Sequence, residues 1–236
     1  MALSATQPAV LLVRGIRAIV LDLDDTLYPE RSFCLSGFDA VGQWLRQRLD
    51  CPIDPVVRMR ELFASGERGH IFDRLLEEIR CEPSAELIAE MVACYRTHGP
   101  AIQLFDDAEA ALERWKGRFR LGLISDGPLV MQQNKARCLG LYERLDRIVL
   151  TDEWGSEYWK PHPRAFELIE SEFGCRGNSC LYVADNPCKD FIAPSRLGWQ
   201  TIWLRRPGGL YCHAPVPPGG RPDHELTTLR HLDVSF

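Results

Sequence analysis

The chain alternates short apolar runs with longer segments that place an apolar residue every three or four positions. Residues 16–23 (IRAIVLDL) are apolar and β-branched until they reach their carboxylates, as in a strand buried on both faces. The same reading gives strands at 121–124 (LGLI), 147–150 (RIVL), 180–184 (CLYVA) and 200–204 (QTIWL). Helices are expected between them. One lies near 106–116 with Ala108, Ala111, Leu112 and Trp115 inward, and one near 129–139. Another lies near 163–173 with Phe166, Ile169 and Phe173 inward, and a last over 188–197. Strand and helix in alternation predict an α/β fold, a doubly wound parallel sheet of Rossmann-like type covered on both faces.

Residues 30–99 depart from this rhythm and carry no strand signal. Ser36 with Asp39 reads as a capping box ahead of Phe38, Val41, Leu45 and Leu49, and Pro52 and Pro55 end that helix. Two more helical stretches follow near 55–65 and 70–80. Ser84 then caps a fourth, with Leu87, Ile88, Met91, Val92 and Tyr95 on one face. The expected organisation is a core of 14–29 and 100–204 interrupted by a small helical insertion. The tail, 205–236, is rich in Pro and Gly and is expected to be irregular, docking only at Leu210 or Tyr211. There is no internal repeat and no low-complexity segment.

Composition narrows the function classes. Net charge is −5, so no basic excess exists to grip a nucleic-acid backbone. The nine cysteines are odd in number and form no C-x-x-C, which disfavours a disulfide framework or a zinc site and fits a reducing compartment. The apolar run at 9–13 is shorter than the ~7–15 residues of a signal-peptide core. No stretch approaches the ~20 apolar residues that span a bilayer. A cytoplasmic protein with no membrane partner is expected.

The candidate chemistry sits where the strands end. A buried strand does not tolerate carboxylates, so the chain must emerge at Asp22, Asp24 and Asp25 into solvent or onto a metal. Ligands of an open parallel sheet bind beyond the carboxyl ends of its strands. Three further segments arrive there: Ser125-Asp126-Gly127, Lys160-Pro161-His162-Pro163, and Asp185 through Asp190. Any one could arise by chance; four in register are hard to dismiss. Carboxylates with no histidine at hand suit a hard, oxygen-loving cation such as Mg²⁺. One carboxylate can attack phosphorus, and a second two residues on can serve as acid and base. Ser125 and nearby backbone N–H groups can bond phosphoryl oxygens, and Lys160 can neutralise charge.

The segments DLDDTLY, ISDG, WKPHP and VADNPCKD resemble the four signature motifs of the haloacid dehalogenase superfamily, in the family's order and on the expected strand ends. The resemblance covers about 14–27 and 100–204, and the helical insertion lies where that family places its C1 cap. It implies Asp22 as nucleophile and Mg²⁺ ligand, and Asp24 as acid/base whose main-chain carbonyl binds the metal. It implies that Ser125 and Lys160 hold the phosphoryl group, with Asp126 and Gly127 in the same substrate-binding loop. Asp185 would bind Mg²⁺ and Asp190 would support the metal shell.

Other residues near these motifs have plain structural readings. Asp25 is expected to cap a turn, Lys189 to meet solvent or a carboxylate, Cys188 to pack and His162 to sit in a loop. Asn186 is weighed as a helper of the metal shell. For substrate contact, Arg31, Arg96 and His98 are the polar candidates, Trp44, Phe72 and Tyr95 the aromatic ones. The aromatic loop 154–159 is a further pocket candidate.

The leading expectation is hydrolysis of a small phosphate monoester, a phosphosugar before a nucleotide. A phosphomutase on the same residues stays open. Haloacid dehalogenation is disfavoured by Asp24, and a non-catalytic regulator by the complete motif set.

Overall fold

The structure is a computed structural model describing residues 10–236; of the apolar run at 9–13, residue 9 lies outside the described residues, and Leu11–Val13 form a strand. In chain order the strands are β1 (Leu11–Val13), β2 (Ala18–Leu21), β3 (Arg120–Ser125), β4 (Arg147–Leu150), β5 (Cys180–Ala184), β6 (Gln200–Leu204), β7 (His224–Leu226) and β8 (Leu232–Val234). The α-helices are α1 (Glu30–Arg46), α2 (Pro55–Ala64), α3 (Ile71–Glu78), α4 (Ala85–Thr97), α5 (Asp106–Trp115), α6 (Leu129–Cys138), α7 (Arg164–Phe173) and α8 (Ile192–Arg196).

Six strands form one sheet in the order β4-β3-β2-β5-β6-β7, and every pairing is parallel. Strand alternation splits the core between its two faces. Ile19, Leu21, Leu121, Leu123, Leu181 and Val183 pack with α5 and α6 residues on one side. Ala18, Val20, Ile124, Val149, Tyr182 and Ala184 pack with Phe166, Ile169 and Phe173 of α7 on the other. Connections leave β2 toward β3 and β4, then return to place β5 on the opposite side of β2. The strand order therefore reverses between β2 and β5, and an open sheet forms its ligand crevice at such a reversal.

Helices α1 to α4 gather a separate apolar cluster that includes Phe38, Val41, Leu45, Met59, Leu75 and Met91. Ser84 caps α4 as expected, its hydroxyl accepting from the Leu87 N–H at 3.1 Å. The start of α1 is corrected. The helix begins at Glu30 rather than near Ser36, because the Asp25 carboxylate accepts from the Glu30 N–H at 2.9 Å. Ser36 lies inside the helix, and its hydroxyl accepts from the Ala101 N–H at 2.9 Å.

The tail is also corrected. It supplies β7 at the sheet edge, and β8, which pairs in parallel with β1. Its anchor is a buried ion pair. Arg206 donates to both Asp107 oxygens at 3.0 Å and to the Thr26 carbonyl at 3.0 and 3.2 Å. Asp107 also accepts from the Thr228 hydroxyl at 2.5 Å and the Leu229 N–H at 2.8 Å. Short strands that pair far along the sequence leave little local signal among prolines and glycines. Among the described residues, no helix is long and apolar enough to cross a membrane.

Candidate active site

The strand reversal places Asp22, just after β2, beside Asp185, just after β5. One carboxylate oxygen from each of Asp22, Asp185 and Asp190 lies within 4.8 Å of the others. All three residues are buried. The Lys160 ammonium enters from the segment after β4. It donates to Asp22 Oδ1 at 2.5 Å and to the Tyr182 hydroxyl at 3.0 Å, and lies 2.8 Å from Asp190 Oδ1. That last contact is an ion pair without hydrogen-bond geometry, so Asp190 Oδ1 is a buried oxygen with no donor.

Burial and mutual repulsion dominate the electrostatics of the cluster. Burial pushes the Asp22 carboxyl up to about 7 against the pull of Lys160, and Asp190 adds repulsion. Asp185 is pushed well above the aspartate range by burial and then by the charges of Asp22 and Asp190. Burial alone would lower the Lys160 pKa, but Asp190 and Asp22 outweigh it and hold it well above the usual value. One ammonium is thus shared among carboxylates that want more positive charge. Three clustered carboxylates and an orphan oxygen fit a hard divalent cation, which would relieve their repulsion.

Asp24 faces a different environment. Its Oδ1 accepts from Lys135 Nζ at 2.7 Å and from the Tyr28 hydroxyl in a short bond, and its Oδ2 accepts from Gln132 Nε2 at 3.2 Å. Burial would push this carboxyl up, but Lys135, Tyr28 and Gln132 together more than offset it and hold it below the ordinary value. Two carboxylates separated by one residue are therefore driven in opposite directions, Asp22 up by burial and Asp24 down by its three donors.

The second motif shapes the loop opposite. Asp126 Oδ1 accepts from the Thr151 hydroxyl at 2.8 Å and the Lys160 N–H at 3.1 Å, and its Oδ2 accepts from Lys189 at 2.6 Å. The carboxylate thus ties together the loops after β3, β4 and β5. Burial raises its pKa, but Lys160 and Lys189 prevail and lower it. Gly127 has φ +116°, and a Cβ there would meet Gln132 Nε2 at 2.7 Å, so glycine is what lets Gln132 reach Asp24. Asn186 accepts from the Cys188 N–H at 3.0 Å, which commits its side-chain oxygen to the turn.

Asp22, Asp24, Ser125, Asp126, Gly127 and Asp185 line one cavity of about 260 Å³. Gln132, Trp159, Lys189, Glu30 and Tyr211 complete its walls. Lys160 and Asp190 are buried and do not line it. A larger cavity of about 440 Å³ adjoins, lined by Arg31, Phe63, Arg68 and tail residues, with Glu30 bordering both. Of the substrate-contact candidates, Arg31 therefore borders open space. His98 instead hydrogen-bonds the Tyr95 carbonyl at 2.6 Å and the Ser36 hydroxyl at 3.1 Å, and Tyr95 packs against Phe33, Phe38 and Phe72. Glu30, Lys135 and Gln132 were not singled out from sequence. A glutamate opening a helix and a lysine with a glutamine on one face of another read as solvated surface; only the fold reveals their burial.

A family model described as haloacid dehalogenase-like hydrolase matches residues 16–198. The chain belongs to this family. Within it, the sequence is 28% identical over 226 residues to glyceraldehyde 3-phosphate phosphatase of Methanopyrus kandleri, covering 92% of this chain and 95% of that one. It is 30% identical to haloacetate dehalogenase H-2 of Moraxella sp. (strain B) over 211 residues, covering 83% and 88%. Among solved structures, the putative HAD-hydrolase YfnB from Bacillus subtilis bound to magnesium superposes with a TM-score of 0.65 at 18% identity, covering 91% and 96%. That likeness concerns the fold.

Proposed function

We propose that this HAD-family chain is a Mg²⁺-dependent phosphatase of small phosphate monoesters, with a triose phosphate such as glyceraldehyde 3-phosphate as the first substrate class. The observation that carries the reading is the paired environment of Asp22 and Asp24: one in a three-carboxylate cluster with Lys160, the other held apart by Lys135, Tyr28 and Gln132. Four relatives named glyceraldehyde 3-phosphate phosphatase support the substrate class.

The residues act as follows. Asp22 Oδ attacks phosphorus, the bond from phosphorus to the ester oxygen breaks, and Asp24 gives its proton to the leaving alkoxide. Water then attacks phosphorus, the bond from phosphorus to the Asp22 oxygen breaks to release phosphate and the free carboxylate, and Asp24 takes the proton of the water. Ser125 with backbone N–H groups of its loop and Lys160 bind the phosphoryl oxygens, and Asp126 and Gly127 shape that loop. Asp22, Asp185, Asp190 and the Asp24 main-chain carbonyl would hold Mg²⁺. When bound, the metal offsets charge repulsion between carboxylates and the phosphoryl group. Helices α1 to α4 serve as a cap that shields the site from bulk water. The cysteine composition and neutral-to-acidic balance support a cytoplasmic setting without a nucleic-acid partner.

Purified protein with Mg²⁺ is expected to release phosphate from triose and other sugar phosphates, and EDTA should abolish this until Mg²⁺ is returned. Halide release from 2-haloacids without phosphate release would favour the chemistry named for the Moraxella relative. Phosphate moved to another substrate hydroxyl would indicate a mutase. Inactivity across phosphosugars and nucleotides would favour a regulatory protein.

A further inference from the structure

Lys135 lies on α6, 111 residues from Asp24 in sequence, and is almost completely buried. Its Nζ sits 4.5 Å from the Phe33 ring centroid and 5.9 Å from that of Tyr28, with the Asp24 carboxylate as its anionic partner. Burying an ammonium so deeply is costly unless it is paired, and its sole carboxylate partner among the described residues is the proposed acid/base. The two Asp24 oxygens are not equivalent. Oδ1 is committed to Lys135 and Tyr28, whereas Oδ2 carries only the longer bond from Gln132.

We infer that Lys135 is a positioning residue: by fixing Asp24 Oδ1 it aims Oδ2 at the reacting ester oxygen. The inference rests on the phosphatase reading above. In the first step Oδ2 gives its proton to the ester oxygen as the bond from phosphorus to that oxygen breaks. In the second it receives a proton from the attacking water, so Asp24 returns to its starting state. Lys135 exchanges no atom with substrate. Phe33 belongs to α1, so the same ammonium also joins the acid/base to the first helix of the insertion.

The expected signature is leaving-group dependence. Alkyl phosphates depend on protonation of a basic leaving oxygen, and p-nitrophenyl phosphate depends on it far less. With saturating Mg²⁺, Lys135→Met should lower kcat/KM for an alkyl phosphate roughly 10–100-fold more than for p-nitrophenyl phosphate, a share of what general acid catalysis supplies. Lys135→Gln keeps a donor of similar reach and should show a smaller selective loss; it carries the test if the methionine variant does not fold. Equal losses on both esters would overturn the inference. Asp24→Asn, measured alongside, separates the two levels. A selective loss in Asp24→Asn but not at position 135 overturns the role of Lys135 alone. No selectivity in Asp24→Asn overturns the acid/base reading and this inference with it.

Discussion

Asp22→Asn should reduce phosphate release by roughly 10⁴-fold or more, the scale of loss when a covalent nucleophile is removed. The fold should persist, and there is a thermodynamic reason. Burial raises the Asp22 carboxyl from 3.8 to about 7 in the folded protein. A group raised on folding contributes stability below its unfolded pKa and loses it as pH rises through the folded one. Above about 7 the metal-free wild type therefore carries an ionisation cost that asparagine removes. Thermal melts of metal-free protein at pH 8 should show the variant at least as stable as the wild type. Added Mg²⁺ should raise the wild-type melting temperature, and raise that of the variant less, because a ligand stabilises in proportion to its affinity for the folded state. Retained turnover in the variant would remove Asp22 from the reaction.

The second large effect concerns stability. Asp107→Ala should destabilise the protein by about 3–5 kcal/mol, the range for breaking a buried ion pair and leaving one charge alone. Arg206 would then lie buried against the Thr26 carbonyl without its anion, and the Thr228 hydroxyl and Leu229 N–H would lose their acceptor. Urea unfolding at neutral pH measures this directly. Burial would raise the Asp107 carboxyl, yet Arg206 and Thr228 win and lower it below 3.8. Its contribution is thus present above 3.8 and fades as pH falls through the folded value. The gap between wild type and variant should close in acid. An unchanged midpoint at neutral pH would mean that the tail is not anchored through this pair.

The contrast between these two aspartates shows what was legible in the sequence. Asp22 ends an apolar strand, and a carboxylate there conflicts with burial so sharply that a function is the simplest resolution. The same logic exposed Ser125, Lys160 and Asp185, each delivered by a strand end or the loop after one. Asp107 opens α5, where an acidic residue is ordinary for helix-dipole reasons, so nothing local distinguished it. Its partner lies 99 residues away. Lys135 escaped notice in the same way, because its helix shows no apolar stripe strong enough to separate a buried lysine from a solvated one. Asp25, expected to cap the turn after β2, instead accepts from the Glu30 N–H at the start of α1, five residues on, and from the Leu210 N–H of the tail. The tail strands β7 and β8 were lost because three residues each, among prolines and glycines, carry little periodicity.

The central claim is that a phosphoryl group passes through the Asp22 side chain. It can be tested by quenching the wild-type protein during turnover of p-nitrophenyl phosphate with Mg²⁺, then reducing it with borohydride, which converts an aspartyl-phosphate to homoserine. Peptide mass spectrometry then reads each carboxylate of the site. The account predicts homoserine at position 22, absent without substrate and more abundant in Asp24→Asn, where the second step stalls. Homoserine at another carboxylate, or none anywhere while phosphate is released, would contradict it.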